Sequence, residues 1–162
     1  MVRINIEKEW IENAKKKAKE MGILNHSILK GQGNITGFIG EFMVEKFLKG
    51  KIDNTYDYDI VKNGIKIDVK SKKCTSIPKP DYDCSVPAYN TKQKCDMYVF
   101  VRIMNTFDVG WICGVISKRE FFQKAKLWKK GQTDESNMMT FKEDSYNLKI
   151  KDLIDLEKHI TK

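Results

Sequence analysis

From Tyr56 to Lys70 the chain reads Tyr-Asp-Tyr-Asp-Ile-Val-Lys-Asn-Gly-Ile-Lys-Ile-Asp-Val-Lys. Asn63-Gly64 is a strong signal for a type I′ turn between two antiparallel strands. With those residues at the turn, Lys62 faces Ile65, Ile60 faces Ile67 and Asp59 faces Asp68. Side chains alternate across a strand. One face then carries Tyr58, Ile60, Ile67 and Val69, and the other Asp57, Asp59, Asp68 and Lys70. Opposed carboxylates repel, at a cost of a few tenths to roughly 1 kcal/mol. A divalent cation between them reverses that sign. Mg²⁺ takes one or two carboxylates and completes its shell with water and phosphate oxygens. Lys70 lies on the same face, two residues beyond Asp68, where its ammonium can hold a phosphate or an attacking hydroxide. The plain alternative is an exposed polar strand face on which Lys70 pairs with Asp57. Asp57 also competes with Asp59 as the first acid; the position opposite Asp68 favours Asp59.

Two helices precede the hairpin. Trp10, Ile11, Ala14, Ala18 and Met21 recur at helical spacing over Glu7 to Met21. A polar loop follows over Asn25 to Gly33. Asn34 is a fair N-cap for a helix to about Leu48, with Gly50 as its stop. That second helix carries Glu41 and Glu45 one turn apart, so both can reach one site. Its Gly37 and Gly40 allow close approach to the sheet or to a substrate, or serve loop packing. After the hairpin, a loop from Ser71 to Lys94 holds Lys72, Lys73, Lys79, Lys92 and Lys94, each a phosphate contact or a solvated lysine. Met97 to Met104 is apolar on both faces, as a central strand is. A further strand covers Val109 to Ile116. Ser117 and Glu120 form a capping box for a helix ending near Gly131, its end made basic by Lys124, Lys126, Lys129 and Lys130. Short strands are expected over 138–141 and 146–150, and a closing helix over 152–159. Trp111 and Trp128 are expected in the core.

Composition fits one domain over 1–162, with 41% apolar and 10% aromatic residues. The net charge of +8 suits a polyanion partner. No apolar run approaches the ~18 residues of a membrane span, and the first residues lack a secretory h-region. The expectation is a cytoplasmic protein without a membrane partner, with Cys74, Cys84, Cys95 and Cys113 as thiols. Without a C-x-x-C pair, and with only His26 and His159 to help, a structural zinc site is not expected.

The hairpin with its preceding acidic helix resembles the PD-(D/E)xK nuclease superfamily. Asp59 matches the first acid, Asp68-Val69-Lys70 the second motif, and Gly40-Glu41 the position of an upstream helical glutamate. The resemblance covers about residues 34–130, with the N-terminal helix and C-terminal segment as additions. It departs from the pattern in lacking a proline before either aspartate and in placing an extra strand before the third helix. The resemblance implies an α/β fold of restriction-endonuclease-like type, a three-layer core with a mixed central sheet flanked by helices. It further implies Mg²⁺- or Mn²⁺-dependent hydrolysis of DNA phosphodiester bonds. Asp59, Asp68, the Val69 carbonyl and Glu41 would hold the metal, and Lys70 would orient the attacking water. Lys72, Lys73, Lys92 and Lys94 would contact nucleic acid. Gln93 and Tyr98 are loosely similar to the Gln and Tyr of RecB-like members, at a different spacing. Size and basic loops suit a small phage or mobile-element nuclease, whose compartment is the host cytosol. The second enzymatic reading is a Holliday-junction resolvase, which acts as a homodimer. A non-catalytic nucleic-acid-binding module and an acidic interaction face are the remaining classes, and RNA is left open beside DNA.

Overall fold

A computed structural model describes residues 1–21, 32–53 and 55–156. Among these, the first elements in chain order are β1 (Val2–Asn5), α1 (Lys8–Met21), α2 (Gln32–Leu48), β2 (Lys51–Ile52), β3 (Ile60–Lys62) and β4 (Ile65–Cys74). Next come β5 (Asp83–Pro87), β6 (Met97–Met104), β7 (Val109–Ser117) and α3 (Lys118–Lys124). The last are β8 (Lys126–Trp128), β9 (Thr133–Asp134), β10 (Met139–Thr140) and β11 (Ser145–Lys149). The loop over Asn25 to Gly33 falls largely outside the described residues, as do both histidines and residues 157–159 of the expected closing helix; in the described part of that helix Asp152 ends a 3₁₀ turn and Ile154 forms an antiparallel bridge with Val115.

The β3–β4 turn forms as its sequence demands. Asn63 and Gly64 have φ of 50° and 79°, the left-handed pair of a type I′ turn. The register that follows places Ile60 opposite Ile67 and Val61 opposite Lys66. β4 continues past the hairpin and pairs in parallel with β6, with Asp68 beside Tyr98 and Lys72 beside Arg102. The six-stranded mixed sheet has the order β1-β7-β6-β4-β3-β2. A register shift between Phe100 and Val101 marks a bulge on the β6–β7 pair; such an irregularity bends the strand and increases local twist.

Each face of the sheet has its own cover. Ile39, Met43 and Val44 of α2 pack on Ile67, Val69, Val99, Val101 and Ile112. The opposite face carries Tyr98, Phe100, Trp111 and Ile116, covered by Phe121 of α3 and by Val86 and Leu148 of a second sheet. That second sheet is antiparallel, ordered β5-β11-β8. One flank is therefore helical, while the other combines a short helix with strands. β6 is buried on both faces, as its apolar sequence requires.

Several expectations change. α3 ends at Lys124, well short of Gly131, because the next residues pair with β11 as β8. Lys126 consequently lies over the Trp128 ring, 3.7 Å from its centroid, and Lys129 pairs with Asp144 at 2.9 Å. The expected loop over 71–94 contains the end of β4, strand β5 and a 3₁₀ turn at Ala88–Lys92. Tyr58 leaves the alternation of the hairpin. The Thr55 hydroxyl accepts from the N–H groups of Asp57 and Tyr58, turning the chain before β3 begins, and Tyr58 packs with the cluster on the opposite face from Ile60. β1 pairs with β7 as a sheet edge, and β11 is the middle strand of the second sheet. Both chain ends thus contribute to the packed structure around the 34–130 segment. Trp111 is buried, and Trp128 stacks on Phe141 with centroids 5.0 Å apart. The four cysteines are buried free thiols. Among the described residues, no helix is long and apolar enough to cross a membrane.

Candidate active site

Asp59 stands one residue before β3, still held in the ladder by its N–H to the Ile67 carbonyl at 2.9 Å. Its Oδ2 accepts from the Val69 N–H at 2.7 Å. This turns the carboxyl along β4 and into hydrogen-bond contact with Asp68. Asp68 is 3% exposed. Burial is the main cause that pushes the Asp59 pKa up to about 7; the charge of Asp68 adds to it, and the Val69 N–H and Lys70 oppose it. The two carboxylates expected to face one another are therefore neighbours in a site poor in water.

Glu41 joins them from α2. Its pKa is raised to about 8, first by burial and then by the charge of Asp59, with a smaller contribution from Asp68. Lys17 of α1 opposes that rise; its ammonium lies 5.4 and 5.0 Å from the ring centroids of Phe38 and Phe42. Gly40 sets the approach of the helix. A Cβ at that position would stand 1.9 Å from Ser71 Oγ and 3.1 Å from Ser71 Cβ, so any side chain there would force Ser71 or the helix to shift, and glycine lets α2 lie this close to β4. Gly37 has no such constraint, since a Cβ would meet nothing within 4 Å. Glu45, one turn beyond Glu41, is half-buried.

Lys70 points toward the acids. Its Nζ lies 2.6 Å from Asp68 Oδ2 and donates to Gln93 Oε1 at 3.2 Å. The Gln93 amide in turn donates to the Tyr56 carbonyl at 2.7 Å, fixing the orientation of its own oxygen. The alternative pairing of Lys70 with Asp57 is not adopted: Asp57 Oδ1 accepts from the Lys94 N–H at 3.0 Å. Asp57 ties down the segment that carries Gln93, and Asp59 holds the position beside Asp68.

The other candidates divide by face. Lys72 follows Lys70 on the same face of β4 and borders a cleft of about 810 Å³. It is accessible to solvent yet flanked closely by protein; that crowding, with the charge of Arg102 next in effect, lowers its pKa to about 8. Lys73 points the opposite way, its Nζ 4.6 Å from the Phe107 ring centroid. Lys92 and Lys94 are exposed on either side of Gln93. Val69 packs its side chain against the helical layer while its N–H holds Asp59. Tyr98, in register with Asp68, is a fully buried core residue.

Lys17, Arg102 and the Gln93–Tyr56 bond escape a reading of local spacing, because each reaches the site from a separate segment. The one signal for Gln93 was its loose likeness to a family glutamine. Among the described residues, no three His, Cys, Asp or Glu side chains converge as a ready cage for an ion. The donor set is a contacting carboxylate pair with Glu41 close by, and hard cations such as Mg²⁺ use such pairs when water and phosphate complete the shell. Buried like charges in contact are also what a divalent cation neutralises. No protein-family model matches the sequence, and no curated protein matches it.

Proposed function

We propose that this protein is a metal-dependent nuclease of restriction-endonuclease-like fold that hydrolyses DNA phosphodiester bonds. The observation that carries the reading is the contact of half-buried Asp59 with buried Asp68, with Lys70 ion-paired at their edge. An arrangement of buried like charges opposes folding and is retained most readily where it serves chemistry. Glu41 above the pair and the parallel β4–β6 arrangement are further support. DNA is favoured by the resemblance of the hairpin to the nuclease motif, since phosphate chemistry alone is common to DNA and RNA.

In this reading, Asp59 and Asp68 hold Mg²⁺ or Mn²⁺, with the Val69 carbonyl and Glu41 in support. The bound ion supplies a Lewis acid for the phosphate and the leaving oxygen. Lys70 holds the attacking water or a non-bridging phosphate oxygen, steered by its contact with Gln93. Asp68 lies against the Lys70 ammonium and keeps its charge directed into the site.

Thermal melting with and without Mg²⁺ or Mn²⁺ tests the metal assignment. The expected result is a rise in Tm that grows with metal concentration, as mass action requires, and that Asp68→Asn abolishes together with cleavage while leaving a folded protein. An unchanged Tm at saturating metal, or cleavage retained by Asp68→Asn, contradicts the assignment.

A further inference from the structure

Beyond Lys70 the active-site face of β4 opens into the 810 Å³ cleft, walled on its far side by the chain around Met139 to Ser145. A volume of this order lies in the range, roughly 300–1,000 Å³, that encloses a small organic molecule. It suits one or two nucleotides and is far too small to admit a duplex.

Charge and aromatic surface meet in this cleft. Lys72 and Arg102 stand in register on adjacent strands and both line it. Like charges placed so cost folding energy, as Asp59 and Asp68 do. Arg102 is restrained, donating to the Asp83 carbonyl and lying over the Tyr82 ring. Among the described residues Lys72 makes no ion pair, and its hydrogen-bond contact is Met139 Sδ at 3.8 Å. With Lys70 and Lys142 the lining holds four basic residues, against two carboxylates: Asp83, which is paired with Lys149, and Glu143. Lys70 and Lys72 are two residues apart on one strand, so the positive track runs from the acids into the cleft over about 6.6 Å.

Two exposed tyrosines flank the same region. Tyr89 lines the cleft and is 52% exposed; Tyr56, whose carbonyl receives the Gln93 amide, is 70% exposed. They are close enough for their phenols to interact electrostatically, and Tyr89 is braced by a hydrogen bond with Glu143. Solvent-facing aromatic rings beside a cationic track form the arrangement on which unpaired bases stack.

We infer that the cleft takes an unpaired polynucleotide strand, with Lys72 and Arg102 on a phosphate and Tyr89 and Tyr56 against bases. The substrate class is then single-stranded or locally unpaired nucleic acid, such as a flap or gap, in preference to intact duplex. This deepens the proposed nuclease reading and rests on it for the scissile bond. The chemistry is shared by DNA and RNA.

The test is fluorescence anisotropy with end-labelled single-stranded DNA, single-stranded RNA of the same sequence and blunt duplex DNA. Ca²⁺ is the metal, and Tyr89→Ala, Tyr89→Phe and Lys72→Met are compared with the wild type. Single strands should bind at least about tenfold more tightly than duplex. Tyr89→Ala should weaken single-strand binding roughly five- to hundredfold, the range for one lost stacking contact, and Tyr89→Phe should restore it. Lys72→Met should reduce the salt slope by about 0.7, one phosphate contact. A preference for either sugar supports the cleft assignment and identifies the strand. Equal binding of single strand and duplex, or a Tyr89→Ala variant that binds as wild type, overturns it. Cleavage of the same oligonucleotides in Mn²⁺ separates the two readings. Metal-dependent cleavage without a strand preference overturns the cleft assignment alone. Strand preference without cleavage overturns the nuclease and leaves the cleft as a binding site.

Discussion

Asp59 occupies a position that opposes its own charge. Its folded pKa of about 7 and that of Glu41, about 8, lie above their ordinary values of 3.8 and 4.5. A carboxyl with a raised folded pKa contributes stability that is fully present below its unfolded pKa and lost as pH rises through the folded one. The Tm of the metal-free protein should therefore fall from about pH 4 to about pH 8 and level off above that. Metal binds the deprotonated acids, so the Tm increment from Mg²⁺ should grow over the same interval. Asp59→Asn removes the charge while keeping an oxygen for the Val69 N–H. It should raise the metal-free Tm at pH 8, flatten its pH dependence and abolish cleavage, as expected where function is held against stability. Melting curves at several pH values check this; a lower Tm for the variant at pH 8 would contradict it. The acids were legible in the sequence because a two-residue Asn-Gly turn fixes register, and register fixes which side chains meet. Gln93 and Lys17 lie 23 residues after Lys70 and 24 before Glu41 in the numbering, where no local spacing connects them.

At the scale of elements, α2 and β4 form the joint on which the site depends. Gly40 keeps them in contact, and its neighbour Glu41 thereby overlies the acids. Gly40→Val forces bulk into Ser71 and Val69 and should destabilise by roughly 1–3 kcal/mol, as overpacking does. It should also weaken cleavage by displacing Glu41. Gly37→Ala, which meets open space, should lose no stability, and comparative denaturant titration distinguishes the two. Equal stability of Gly40→Val and wild type would contradict the close-approach argument. The helix–hairpin order was readable from apolar periodicity and the turn. The small second sheet was not, because β5, β8 and β11 have 5, 3 and 5 residues, too short to establish a period. Their pairing also decides where α3 stops, which a capping box at Ser117 cannot reveal. Lys149 shows what that sheet is built to hold: its ammonium lies 2.9 Å from Asp83 and 2.6 Å from Asp134, pinning β5 and β11 to the segment that forms the cleft wall.

For the whole molecule, two hydrophobic layers on a mixed sheet leave one end of β4 facing a cleft and the carboxylate pair beside it. In the proposed reading, the excess of +8 would draw a polyanion toward the protein generally, and the position of Lys70, Lys72 and Arg102 would direct it along β4. Net charge was legible from composition; the direction of that charge required the parallel pairing of β4 with β6, a long-range contact that brings Arg102 beside Lys72. The central claim concerns what happens to a phosphodiester at Lys70. A supercoiled plasmid incubated with Mn²⁺ and wild-type protein, beside Lys70→Ala and an EDTA control, measures that directly, because supercoiled DNA exposes transiently unpaired strands. Nicking by the wild type that is abolished by EDTA and reduced about 10²–10³-fold by Lys70→Ala, the usual effect of losing one charge-stabilising group, is the predicted result. Nicking that survives both Lys70→Ala and EDTA would contradict the account.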